Sequence, residues 1–178
     1  HAIGTKGGKQ EWVNPHTQGQ VEVTWSSVDT YGGKVENFVA HTSPGWSQTL
    51  STPGSSMQVD LKGFRVSHPT QYCLRHGYGD DNFRLLQFKL QASHDNTNWV
   101  DLDTQSHTDS PFSVGYGTAA FPISGGGSAE QSGLATVGGK HESGWRYFRL
   151  TQTGKDSSGN DHLCCGGFEV YGILTGEW

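Results

Sequence analysis

Three short stretches carry the residues best suited to chemistry. The first is YCLRHGYGDDNFR, Tyr72 to Arg84. Gly77 and Gly79 let a strand end and turn sharply, leaving His76, Tyr78, Asp80, Asp81, Asn82 and Arg84 on one loop. A ring, an imidazole, carboxylates, an amide and a guanidinium in that span suit the reading of a polar peptide or a sugar. The competing reading is structural, with Arg75 and Arg84 bracing the loop through ion pairs to Asp60, Asp80 or Asp81. The second stretch, KDSSGNDH, sets Lys155, Asp156, Asn160, Asp161 and His162 on another polar turn; its plain alternative is a solvated loop. The third is Trp46 in HTSPGW. A tryptophan in a Ser/Pro/Gly loop is costly to leave in water and suits an interface, unless it folds back onto the body of the domain. The candidate ligand-binding residues are therefore Trp46, His76, Tyr78, Asp80, Asn82, Arg84, Lys155 and His162.

Covalent and metal chemistry find less support. A Cys164 nucleophile served by His162 or His76 would need an exposed, low-pKa thiol, whereas a small buried cysteine is the default. The sequence holds no G-x-S-x-G, P-loop or H-E-x-x-H pattern. GYGTAAF and the glycine run from Gly125 precede no helix that would cradle a phosphate. Zinc sites favour spaced cysteine pairs, and the adjacent Cys164 and Cys165 point to opposite faces if they lie in a strand. Asp80-Asp81-Asn82 lacks the ligand spacing of a calcium loop. No catalytic residue, metal or cofactor is expected, and the chain is not read as an enzyme. Three cysteines are an odd count, and neighbours rarely bond each other. A bridge from Cys73 to Cys164 or Cys165 stays open, but free thiols in a reducing compartment, cytoplasm or nucleus, are the favoured reading.

Something must position those loops. A length of 178 residues fits one well-buried domain. Twenty-six glycines suit many turns between short strands, and six Trp, six Tyr and eight Phe supply the apolar area. A net charge of −5 disfavours nucleic acid and anionic membrane surfaces as partners. No stretch is long and apolar enough to span a bilayer, and no signal peptide is visible. The chain reads as one domain of a larger multidomain protein.

Alternation of apolar and polar residues predicts about eight strands: Val21–Trp25, Met57–Leu61, Tyr72–His76, Leu86–Ala92, Trp99–Leu102, Ala119–Ile123, Trp145–Thr151 and Phe168–Ile173. Asp95 to Asn98 supply turn residues for a hairpin that would drop Trp99 into the core beside Phe88 and Leu90. Arg149 and Glu169 would meet if the last two strands are neighbours. Helix signals are confined to one turn at Lys34–Val39. Two long polar segments, His41–Ser56 and Ser124–Gly144, read as loops, the second as a mobile insertion. The expected organisation is a flexible lead-in at 1–11, a domain at 12–174 and a tail at 175–178.

In that order, MQVDL, YCLRHG, LQFKLQASHDNTNWVDLDTQ, GWRYFRLTQTG and GGFEVYGIL resemble the discoidin, or coagulation-factor C-type, branch of the galactose-binding-like domains. The GTKGGKQEWVNP opening and the GWRYFRLTQTGK…GFEVYG ending look most similar to an intracellular subgroup found in HECT-type ubiquitin ligases and BTB-domain proteins. The resemblance implies an all-β, eight-stranded jelly-roll β-sandwich without catalytic residues, binding its ligand through loops at one end. It implies a protein or peptide partner, within a ubiquitin-ligase-related or adaptor chain, with a carbohydrate as the alternative. Secreted relatives join their domain ends by a disulfide; the cysteines here are not at the ends, which puts phospholipid and extracellular glycan binding in doubt.

Overall fold

The computed structural model describes residues 1–41, 45–112, 114–124, 134–137 and 140–177. Its strands are β1 (Glu22–Trp25), β2 (Ser56–Asp60), β3 (Arg65–His76), β4 (Gln87–Ser93), β5 (Trp99–Ser106), β6 (Thr118–Pro122), β7 (Leu134–Val137), β8 (Lys140–Ser143), β9 (Tyr147–Gln152) and β10 (Cys165–Thr175). One antiparallel sheet runs β1-β2-β9-β4-β5 and faces a second, β10-β3-β6. The architecture is the expected jelly-roll sandwich, and each of the eight expected strands is present. The expected helical turn is a 3-10 helix at Val35–Val39.

Alternation explains which residues fill the space between the sheets. Met57 and Val59 on β2, Phe88 and Leu90 on β4 and Phe148 and Leu150 on β9 turn inward and are buried. Tyr72 and Leu74 on β3, Phe121 on β6 and Phe168 on β10 meet them from the opposite sheet. Each such side chain contributes about 1.5–3 kcal/mol through burial, so the aromatic-rich strands suffice for a core despite the glycine content. Tyr72 keeps its hydroxyl satisfied by donating to Asp103 at 2.7 Å. A register shift between Leu90 and Gln91 pairs Leu90 with Asp103, which turns that carboxylate toward Tyr72.

Three expectations are corrected. Trp99 does not enter the core: it is half-buried on the outer face of the five-stranded sheet, with the Arg149 guanidinium 3.9 Å above its ring. The hairpin pairs Trp99 with Ser93, one residue out of phase with inward Ala92. Arg149 and Glu169 do not meet, because β9 and β10 belong to different sheets. Arg149 donates to Gln91 Oε1 at 3.0 Å, while Glu169 accepts from the Tyr171 hydroxyl at 2.7 Å. Within Ser124–Gly144, β7 and β8 pair as a hairpin rather than a plain loop; residues 125–133 and 138–139 lie outside the described residues. The opening segment is described as well. Residues 1–10 coil through hydrogen-bonded turns that bury Thr5, and Gly4 lies so close to Trp12 that a Cβ there would sit 2.6 Å from the indole nitrogen.

The far end of the sandwich is pinned by an ion pair. Arg146 donates from Nε and Nη2 to the two Asp60 oxygens at 2.8 and 2.9 Å. Burial alone would raise the Asp60 pKa, but these bonds, the Lys62 backbone N–H and the charges of Arg146 and Lys62 outweigh it and hold the carboxyl below its ordinary range. A lowered folded pKa stabilises fully above the unfolded value of about 4 and is lost as pH falls through the folded value. Asp60→Asn is therefore expected to be less stable than the parent at pH 7, with the difference closing below about pH 4. Denaturant titrations across that range check the sign.

Candidate functional site

Antiparallel topology brings four connections to one end of the sandwich: residues 26–55 between β1 and β2, 77–86 between β3 and β4, 107–117 between β5 and β6, and 153–164 between β9 and β10. They are laced together. Ser47 N–H donates to Gly77 O at 3.1 Å, and Thr49 N–H to Leu163 O at 3.1 Å. The Phe83 and Arg84 amides donate to the Ser158 and Ser157 hydroxyls, both at 3.0 Å. Tyr116 N–H donates to Tyr78 O at 2.8 Å. The loops thus form one surface rather than four independent tips.

An aromatic ladder crosses that surface. Trp46 meets Tyr78 edge-on at 5.4 Å and 61°. Tyr78 meets Phe83 at 5.5 Å and 75°, and Phe83 meets His162 at 5.3 Å and 77°. Trp46 therefore folds back partway onto the neighbouring loop and stays half-exposed. His162 is fixed by its Nδ1, 2.9 Å from the Thr49 carbonyl and 3.0 Å from the Gln48 amide nitrogen. Asp80 and Asn82 are exposed at the tip, joined by an Asn82 N–H to Asp80 Oδ1 bond of 2.8 Å. Lys155 reaches Asp161 at 2.5 Å.

Two candidates do not stand on the surface. His76 is 0% exposed; it shares the inward face of Tyr72 and Leu74, and neither ring nitrogen has a hydrogen-bond partner among the described residues. Burial pushes its pKa down, with the neighbouring backbone of Asn82 and Asp80 offsetting part of the effect, so the ring stays neutral. Arg84 is largely buried and paired with Asp81, as the structural reading anticipated. Arg75 instead braces the β1–β2 loop, donating to His41 O at 2.7 Å.

Sequence reasoning missed Phe83, the link between Tyr78 and His162, and Tyr31, which is 76% exposed. The segment that carries Tyr31 runs next to the one that carries Trp46, since Gln48 N–H donates to Gly32 O at 2.9 Å. The available signal was a large ring set among turn residues, as in DTYGG and DDNF.

All three cysteines are free. Burial pushes the Cys164 thiol above its ordinary range and the Cys165 thiol up to about 11, which removes both as nucleophiles at neutral pH. Cys73 is half-buried on the outer face of β3. An alkylating reagent is expected to label Cys73 in the folded protein and the other two only after unfolding; mass spectrometry of native and denatured samples reads the count. Among the described residues, no group of three or more His, Cys, Asp or Glu side chains is placed to hold a metal ion, and no helix is long and apolar enough to cross a membrane.

No protein-family model matches the chain. Over 97% of its length it is 34% identical to the E3 ubiquitin-protein ligase hecd-1 of Caenorhabditis elegans. Over 98% it is 34% identical to the E3 ubiquitin-protein ligase Ufd4 of Drosophila melanogaster. The chain spans 6% of the length of each of these relatives. Its structure is similar to that of CBM32-3 from a family 31 glycoside hydrolase of Clostridium perfringens, with TM-score 0.60 and 13% identity, covering 87% of this chain and 92% of that one. A second CBM32 module of Clostridium perfringens, in complex with GalNAc-β-1,3-galactose, gives TM-score 0.59 and 12% identity over 86% of this chain and 96% of that one. The lectin domain of lectinolysin, complexed with Lewis B antigen, gives 0.57 and 18% over 85% and 92%. Identities this low speak to the fold alone. The chain therefore has the β-sandwich fold of these CBM32 and lectin domains, and it is similar in sequence to one short segment of each of two E3 ubiquitin-protein ligases.

Proposed function

We propose that this domain is a non-catalytic recognition module, spanning residues 12–174, that holds a protein or peptide partner through the loops at one end. It would serve a larger ubiquitin-ligase-related or adaptor chain in the cytoplasm or nucleus, where free thiols persist. The observation that carries the reading is the ladder Trp46–Tyr78–Phe83–His162, built from three loops that hydrogen bonds hold in register. Half-exposed aromatic anchors on a rigid surface are what interface hot spots require. The exposed Val28, Tyr31 and Leu50 lie on the flanking segments of the same end, extending the surface beyond what one sugar ring covers. The similarity to two ubiquitin ligases supports the same reading.

A carbohydrate ligand is the second reading. It is favoured by the sugar complexes among the similar structures and by Asp80 and Asn82 beside the rings. Against it, each ring of the ladder meets a neighbour edge-on, and His76 is buried away from any sugar hydroxyl.

The test compares the parent domain with Tyr78→Ala and Trp46→Ala in capture from cell lysate, with free oligosaccharide as competitor. Both variants are expected to lose captured protein while the thermal midpoint moves by no more than about 4 °C, the shift that about 1 kcal/mol would give. Unchanged capture would remove this end of the sandwich as the site. Capture abolished by the oligosaccharide would turn the assignment to sugar. Arg84→Ala is not a clean probe, since its buried side chain supports the loop itself.

A further inference from the structure

The same four connections hold most of the molecule's net charge. Residues 26–55, 77–86, 107–117 and 153–164 contain seven acidic side chains against three basic ones, a net −4 out of −5 for the chain. Each base is already matched: Arg84 with Asp81, Lys155 with Asp161 and Lys34 with Glu36. Asp29, Asp80, Asp109 and Asp156 are left without an ion-pair partner among the described residues. Asp80 stands exposed two residues from Tyr78. Asp156 is only 3% exposed; its Oδ1 accepts the Ser158 and Asn160 N–H groups at 2.8 and 3.0 Å, but its Oδ2 is buried and meets no donor. A buried carboxylate oxygen without a donor is unfavourable, so the Asp156 side of this end offers unmet capacity for a cationic or donor group.

Rings set at steep angles beside unmatched carboxylates favour a cation over a flat, neutral sugar face. Ring faces attract ammonium and guanidinium groups, tryptophan most strongly, and a one-signed field steers and selects an oppositely charged partner. Building on the peptide-recognition reading above, we propose that the loop end recognises a basic segment of its partner. A Lys or Arg side chain is seated against the Trp46, Tyr78 and Phe83 rings within the field of Asp80 and Asp156. Anionic peptides and anionic glycans are repelled.

The probes are three labelled synthetic peptides of alternating Lys and Ser, of norleucine and Ser, and of Glu and Ser, each titrated into the 178-residue chain. Anisotropy gives affinity, and backbone amide shifts locate the site. The Lys peptide is expected to bind about tenfold more tightly than the norleucine peptide at low salt. It should weaken severalfold once the Debye length falls to about 8 Å, and it should shift the loops carrying Trp46, Tyr78 and His162. Asp80→Asn, which keeps an oxygen for the Asn82 N–H, should cost about three- to fivefold in affinity with an unchanged thermal midpoint. Equal binding of the Lys and norleucine peptides at these loops would overturn the charge inference while leaving peptide recognition standing. Indifference of the Lys peptide to Asp80→Asn would also overturn it. If no peptide shifts these loops, both readings fall.

Discussion

Phe38→Ala is expected to lower the unfolding free energy by about 3–5 kcal/mol, the usual cost of truncating a fully buried phenylalanine. Phe38 is 0% exposed and stacks on Phe168 at 5.2 Å with only 4° between the rings; Phe168 in turn lies 6.3 Å from Phe148. One ring thus ties the long β1–β2 connection to both sheets. Against a typical total of about 5–15 kcal/mol, the loss is a large share. The effect should not stop at stability. Asn37, the residue before Phe38, donates from Nδ2 to the Trp46 carbonyl at 3.0 Å, so a loosened helical turn releases the segment that sets one end of the aromatic ladder. Denaturant unfolding should show the drop, and amide exchange should accelerate from Val35 to Gln48 before the strands open. A loss under about 1 kcal/mol, well below the range for buried aromatics, would mean that the connection holds its shape without this anchor.

That dependence explains what could be read from the residues in order and what could not. Strand faces are local, so Phe88-Leu90-Ala92 and Met57-Val59 declared their inward side through alternation alone. The same alternation placed His76 with Tyr72 and Leu74, and its burial follows from that pattern even though its neighbours in the next loop drew it toward a surface reading. Strand extent was harder. β3 begins at Arg65 rather than Tyr72 because His68, with φ of 50°, and Pro69 fall in an irregularity between the Ser67–Ile173 and Gln71–Tyr171 pairs. A bulge tolerates a proline that a regular central strand would not. Sheet assignment was out of reach: nothing in the 144–173 segment says that its two strands cross from one sheet to the other, so Arg149 and Glu169 looked like partners. The loops were legible as loops and as the stretches richest in polar and aromatic candidates. The ladder was not, because contacts among residues 46, 78, 83 and 162 exist only once three connections dock side by side.

The docking has a weak point that side chains cannot relieve. Gly33 has φ of +84°, and a Cβ there would lie 1.4 Å from the Trp46 carbonyl oxygen and 2.5 Å from its carbonyl carbon. Gly54 makes the matched comparison, with φ of +77° and nothing within 4 Å of a Cβ. Gly54→Ala is expected to cost about 1 kcal/mol from the left-handed backbone alone and to leave partner binding intact. Gly33→Ala carries the same strain plus a collision with main chain, on the order of 3 kcal/mol in all, because no rotamer change moves a carbonyl aside. The relief available is separation of the 26–33 and 46–50 segments, which breaks the Gly33–Ser47 bridge and the Gln48 N–H to Gly32 O bond. Gln48 also holds His162, so both ends of the ladder shift together. Thermal midpoints of the two variants, with amide shifts of Trp46, Tyr78 and His162 and with partner capture, separate the outcomes. If Gly33→Ala proves no more damaging than Gly54→Ala in either stability or capture, the close approach of these segments does not set the recognition surface.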